Sequence, residues 1–212
     1  MSDLTFIALD FETATSQRAS VCEVGLAFVE NGEIGMSRSN LIRPPHNQYD
    51  SANIAVHGIT PIMTDISPGF EMFWPTLANI LQGKTVVAHY APFDMGVIRE
   101  ECLRCGLPLP EFRFVCSCAL ARYVVPGFYS YGLEPLCDHF GITTEGHHRA
   151  GNPSKIPVKV SCRGFLPLWP VRCEGFDSGG MFCTPVQVMT NEAYPSHRRQ
   201  TGRCVGTTLR PG

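Results

Sequence analysis

The stretch Phe6-Ile-Ala-Leu-Asp10-Phe-Glu12 sets the tightest constraint on what this chain can become. A short continuous apolar run of this kind reads as a buried strand, and it ends on two carboxylates two residues apart. Side chains at that spacing leave a strand on the same face. Two acids held side by side beside a core repel each other and lose hydration, unless a cation sits with them. Oxygen-only ligands suit Mg²⁺ or Mn²⁺. Taken alone, an Asp-x-Glu pair is also what a strand end reaching solvent looks like.

The rest of the first 150 residues supplies a scaffold for such a strand. Cys22–Glu30 followed by Asn31-Gly32 and an extended stretch to Arg43 reads as an antiparallel hairpin. Glu71–Leu81, with Met72, Phe73, Leu77, Ile80 and Leu81 at helical spacing, predicts a helix. Thr85–Ala88 predicts a short buried strand. Asp94–Cys105, with Met95, Ile98 and Leu103, predicts a helix stopped by Gly106. Glu134–Phe140 predicts one more, closed by Gly141. Strands with interleaved helices indicate an α/β domain built on a mixed sheet.

Two further segments bear on chemistry. Val86-Val-Ala-His89-Tyr-Ala-Pro-Phe93-Asp94 sets a third carboxylate just after a buried strand, at the start of a helix, where an Asp otherwise serves as a cap. If the two strands are neighbours, Asp94 converges on Asp10 and Glu12, and three carboxylates make a site for one or two hard cations. His147-His148-Arg149-Ala150 offers an imidazole able to take a proton from an attacking water near neutral pH. Cys102-x-x-Cys105 and Cys116-x-Cys118 do not make a convincing zinc set, because the second spacing is unusual and the first suits helix packing; Cys137 reads as a small buried apolar residue.

These segments together resemble the DnaQ-like (DEDDh) 3′–5′ exonucleases, which include the proofreading subunit of bacterial DNA polymerase III. Phe6–Thr13 is similar to the family's first motif, and Ala55-Val56-His57-Gly58-Ile59-Thr60 to the His-Gly-Ile-Thr segment after the hairpin. Val87–Asp94 resembles the second motif, with Tyr90 where an Asn commonly stands. Tyr131-Gly-Leu133 continuing through Phe140-Gly-Ile resembles the helix before the third motif, and His148-Arg-Ala begins that motif. The resemblance implies a ribonuclease-H-like mixed sheet flanked by helices, and hydrolysis of nucleotides from 3′ ends of DNA or RNA by a two-metal mechanism. It makes Asp10, Glu12 and Asp94 metal ligands, His148 the general base, and Thr13, His57 and Ile59 contacts to the terminal nucleotide, with Phe93 packed beneath. The partners it implies are a single-stranded or frayed 3′ end and a DNA polymerase.

The chain changes character after Asn152. Residues 151–212 contain seven Pro and eight Gly, too many for a helix of normal length. They carry 8 Lys and Arg against 3 Asp and Glu, whereas residues 1–150 carry 9 against 16. The expected organisation is an exonuclease domain over 1–150 and an irregular basic tail over 151–212. In the family a fourth metal-binding Asp follows the motif histidine by five residues and opens a long Ala-rich helix; here Pro153 stands at that position. A shifted reading frame or an aberrant gene product is the expected origin of the abrupt break, ahead of a lineage-specific C-terminus, and the loss of a ligand is expected to impair activity. The alternative is a catalytically degenerate domain that binds nucleic acid or a polymerase without turnover.

No apolar run approaches the ~18 residues of a membrane helix, and the first residues lack a basic stretch before an apolar core. Ten cysteines without an export signal read as reduced thiols, so the expected compartment is the cytosol, with no membrane contact.

Overall fold

The structure is a computed structural model that describes residues 4–142 and 186–189. Its centre is β1 (Phe6–Thr13), paired antiparallel with β2 (Val21–Glu30), which pairs antiparallel with β3 (Glu33–Leu41). On its other edge β1 pairs in parallel with β4 (Thr85–Ala88), and β4 in parallel with β5 (Phe112–Cys116). An antiparallel edge strand, β6 (Val186–Met189), completes a six-stranded sheet in the order β3-β2-β1-β4-β5-β6.

Alternation along β1 divides the core in two. Ile7, Leu9 and Phe11 point to one face and are covered by α3 (Phe70–Leu81) and α4 (Pro92–Cys105). Phe6 and Ala8 point to the other, under α5 (Ser117–Val124) and α6 (Leu133–His139). Asp10 and Glu12 continue this second series.

The two main helices start and stop where their residues dictate. Pro92 occupies the first turn of α4, where its missing N–H costs nothing, and Gly106 ends the helix in the left-handed conformation at φ 65°. The buried faces differ from those expected. In α3 the core residues are Phe70, Trp74, Leu77 and Leu81, while Met72 is exposed. In α4 Met95, Ile98 and Cys102 lie on one stripe, and Leu103, about 100° round from Cys102, faces outward. Cys102 and Cys118 are buried free thiols, as is Cys137, which fills a core position.

Elements that the sequence leaves unassigned are α1 (Ser51–His57), the single turn α2 (Pro61–Thr64), β5 and α5. β6 is a further difference, because it draws a regular strand from the Pro- and Gly-rich tail. Val186–Met189 lies in the longest stretch there free of both residues, and Met189 is buried in the α3/α4 core. The remaining tail residues lie outside the described ones. Among the described residues no helix is long and apolar enough to cross a membrane.

Candidate active site

The site forms where β1 outruns its neighbour. β1 and β4 pair at Ile7–Val86 and Ala8–Val87, and among the described residues no strand lies beside that edge of β1 beyond Ala8. The backbone N–H of Phe11 would be orphaned there, and an unpaired buried N–H costs about 1–3 kcal/mol. Asp94, in the first turn of α4, supplies the partner: Phe11 N donates to its Oδ1 at 3.1 Å. The third carboxylate is thereby pinned between the positions of Asp10 and Glu12. Asp94 lies near enough to Asp10 and Glu12 to feel the charge of both.

Electrostatics report the same crowding. Burial, and then the charge of Glu23, push the Asp10 carboxyl up to about 7. Burial, then Asp10 and Glu23, push Glu12 up to about 8. Asp94 is raised well above the usual range by burial and by Asp10, with the Phe11 N–H pulling the other way. Asp94 is closed off at 1% exposure, whereas Asp10 and Glu12 are half-buried and keep an open side.

Glu23 is the residue sequence reasoning missed. It lies directly across from Glu12 in the β1–β2 register and is buried, with Ser39 of β3 donating to its Oε1. Like charges opposed on one sheet face destabilise a ladder. The signal was a lone Glu inside the apolar run of Cys22–Val29.

One residue beyond Glu12 the register slips, with Thr13 pairing to Val21 and Cys22 left as a bulge. The carbonyl of Thr13 is held from α1 by Asn53 Nδ2 at 2.8 Å and by His57 Nε2 at 3.2 Å. Ile59 N donates to His57 Nδ1 at 3.0 Å, which requires that nitrogen to be unprotonated and leaves the proton on Nε2 for Thr13. Burial lowers the His57 pKa, in keeping with a neutral ring. Gly58 makes this turn possible by ending α1 at φ 76°. The sequence-predicted contacts Thr13, His57 and Ile59 are thus brought to the end of β1. Ile59 itself is fully buried with Ala14 and Cys22 and presents no surface. Phe93 is half-buried against the α3/α4 core, as expected. His148 and position 153 lie outside the described residues.

The residues present fit a hard divalent cation chemically. All three carboxylates are oxygen donors whose ionised forms are disfavoured by burial and by neighbouring acids, and a dication opposes both effects. Among the described residues, no three His, Cys, Asp or Glu side chains are closed round a single ion position.

Comparisons with known proteins bear on the family and the fold. Residues 7–152 match the family RNase_T, described as exonuclease. A PolC-type DNA polymerase III of Clostridium perfringens (strain 13 / Type A) is 28% identical over 161 residues, 74% of this chain and 11% of the polymerase. The 3′-5′ exonuclease DinG of Bacillus subtilis (strain 168) is 28% identical over 160 residues, again 74% of this chain and 17% of DinG. The chain thus corresponds to a small part of the curated relatives it matches. Among solved structures, the nuclease domain of 3′hExo, a DEDDh family member, superposes with a TM-score of 0.66 at 18% identity, covering 80% of this chain and 94% of that one. Exonuclease X gives 0.58 at 23% identity, covering 77% and 89%. These similarities show the ribonuclease-H-like fold. The chain belongs to the RNase_T exonuclease family.

Proposed function

We propose that this chain is a 3′–5′ exonuclease domain that hydrolyses nucleotides from a single-stranded or frayed 3′ end of DNA or RNA. The observation that carries the reading is the bond from Phe11 N to Asp94 Oδ1, which sets a third buried carboxyl beside the strand positions of Asp10 and Glu12, where burial raises all three. Such an arrangement is costly without a cation and useful with one.

In this reading Asp10, Glu12 and Asp94 hold Mg²⁺ or Mn²⁺, two ions in an intact site. The metal would neutralise charge building on the scissile phosphate and favour deprotonation of water. Thr13, fixed by Asn53 and His57, orients the terminal nucleotide, and Ile59 supports that wall from beneath. His148 takes a proton from the attacking water as its oxygen bonds to phosphorus and the P–O3′ bond breaks. The open sides of Asp10 and Glu12 leave room for the strand end.

A second reading is favoured by Pro153, which stands at the family position of a fourth acid. There the domain binds a 3′ end, or a DNA polymerase, with little turnover. The division into a domain over 1–150 and a tail over 151–212, and a cytosolic location, belong to both readings. A gel assay separates them: a 5′-labelled oligonucleotide of DNA or RNA is incubated with Mg²⁺, with Mn²⁺ and with chelator. Metal-dependent shortening from the 3′ end supports the enzyme. Retention of the intact oligonucleotide by the protein, without shortening, supports the binding domain.

A further inference from the structure

Tyr90 is anomalous in two independent ways. Its backbone stands at φ 62°, in the left-handed region that disfavours side chains larger than Gly. Of the four non-Gly residues with positive φ among the described residues, two are Asn, which visits this region readily, and one is His; Tyr90 is the fourth. Asn commonly stands at this position in the family that the chain resembles, and the observed φ gives a physical reason. The second anomaly is exposure. Tyr90 is 59% exposed, and among the described residues its ring makes no aromatic contact and its hydroxyl no hydrogen bond. A strained backbone that presents a large apolar ring to solvent gains nothing for stability, and strain of this kind gathers at functional sites.

Its location is informative. Tyr90 forms the β4–α4 turn, at the carboxyl end of the parallel strands, where open α/β sheets bind ligands. Its carbonyl accepts from Phe93 N at 2.9 Å, which winds the chain directly into the helical turn bearing Asp94. Tyr90 therefore stands at the entry to the helix whose first turn carries Asp94. An exposed aromatic beside a phosphate-cleaving centre is suited to the flat face of a nucleobase, which stacks on aromatic side chains without regard to sequence.

We propose that Tyr90 is a stacking platform for a nucleobase close to the 3′ end of the bound strand. It fixes the strand's approach to the carboxylates and favours single-stranded over fully paired ends, because a paired base is not free to stack. The inference rests on the exonuclease or 3′-end-binding reading above.

The test is binding rather than turnover. A fluorescein-labelled single-stranded oligonucleotide with phosphorothioate linkages at its 3′ end is titrated with the full chain in Ca²⁺, and anisotropy gives the Kd. Tyr90→Phe keeps the affinity. Tyr90→Ala and Tyr90→Asn weaken it by about fivefold or more. Tyr90→Asn also raises the thermal midpoint, because Asn suits the left-handed backbone, so affinity and stability move in opposite directions. An abasic site scanned through the last few nucleotides lowers affinity for the parent at one position and has no effect there on Tyr90→Ala. Unchanged affinity in Tyr90→Ala, or an abasic penalty that persists in it, overturns the stacking role while leaving the nuclease reading intact. Failure of the parent chain to bind any oligonucleotide removes that underlying reading, and the Tyr90 role falls with it.

Discussion

The amide of Phe11 donates to the carboxylate of Asp94 at 3.1 Å, a bond that joins residues 83 apart in the chain. It fixes the start of α4 to the unpaired edge of β1. One side chain thereby satisfies a buried N–H and delivers a carboxylate to the site. The two roles separate by substitution. Asp94→Asn keeps an acceptor for Phe11 and replaces a carboxyl whose ionised form burial and Asp10 disfavour with a neutral side chain of the same shape, so with chelator present its stability matches or exceeds the parent's. Asp94→Ala orphans the N–H and is less stable by about 1–3 kcal/mol. Urea denaturation measures both. Equal stability of Asp94→Ala and the parent would show that the bond does not hold α4.

The raised carboxyls predict an unusual pH profile for the metal-free protein. In the unfolded chain Asp and Glu lose their protons near pH 4, whereas in the fold Asp10 holds its proton to about 7 and Glu12 to about 8. Between about pH 4 and pH 8 the folded state binds more protons than the unfolded one, so stability falls as pH rises. Added Mg²⁺ or Mn²⁺ offsets the loss at the upper end, by about 3 kcal/mol once free cation is about 100 times its Kd. Thermal melts across this range, with chelator and with cation, check the sign. A chelated protein that gains stability from pH 5 to pH 8 contradicts it.

Gly58 and His57 act together on Thr13. Gly58→Ala places a Cβ at φ 76° and costs about 1–2 kcal/mol. His57→Phe removes the bond to Thr13 and the acceptor for Ile59 N, so it frees the end of β1. Hydrogen exchange at Ile59 is then faster in His57→Phe than in the parent. Unchanged protection at Ile59 would show that the imidazole does not hold this turn.

The pieces legible in the sequence were those whose signal is local. The run Phe6–Leu9 ending on Asp10, the Asn31-Gly32 hairpin and the glycine stop after Cys105 each carry their physics within a few residues. Proximity of Asp94 to Asp10 followed from strand order, which the motif resemblance supplied. Glu23 was not legible, because its meaning depends on a register that sets it across from Glu12. β5 was missed because Phe112–Cys116 is short and alternates only weakly, with Arg113 exposed between two buried Phe residues. The buried faces of α3 and α4 were partly misread, since several apolar stripes fit each helix and only packing selects one.

β6 yields a prediction about the tail. Met189 is 1% exposed in the α3/α4 core, and Val186–Met189 covers the edge of β5. Met189→Ala therefore costs about 2–4 kcal/mol in urea denaturation. A change below about 0.5 kcal/mol would show that the strand does not dock.

Hydrolysis tests the central claim most directly. A 5′-labelled single-stranded oligonucleotide is incubated with the parent chain, with Asp10→Ala, and with a chain carrying Pro153→Asp followed by a regular Ala-rich helix. With Mg²⁺ the repaired chain is expected to shorten the label stepwise from the 3′ end, the parent at least about tenfold more slowly, as expected for the loss of a group that stabilises the transition state. Chelator, or Asp10→Ala in the repaired chain, should abolish the reaction. Equal rates for parent and repaired chains would contradict the role given to the missing carboxylate. Absence of shortening in both, with the repaired chain folded, would contradict the assignment of Asp10, Glu12 and Asp94 as a hydrolytic centre.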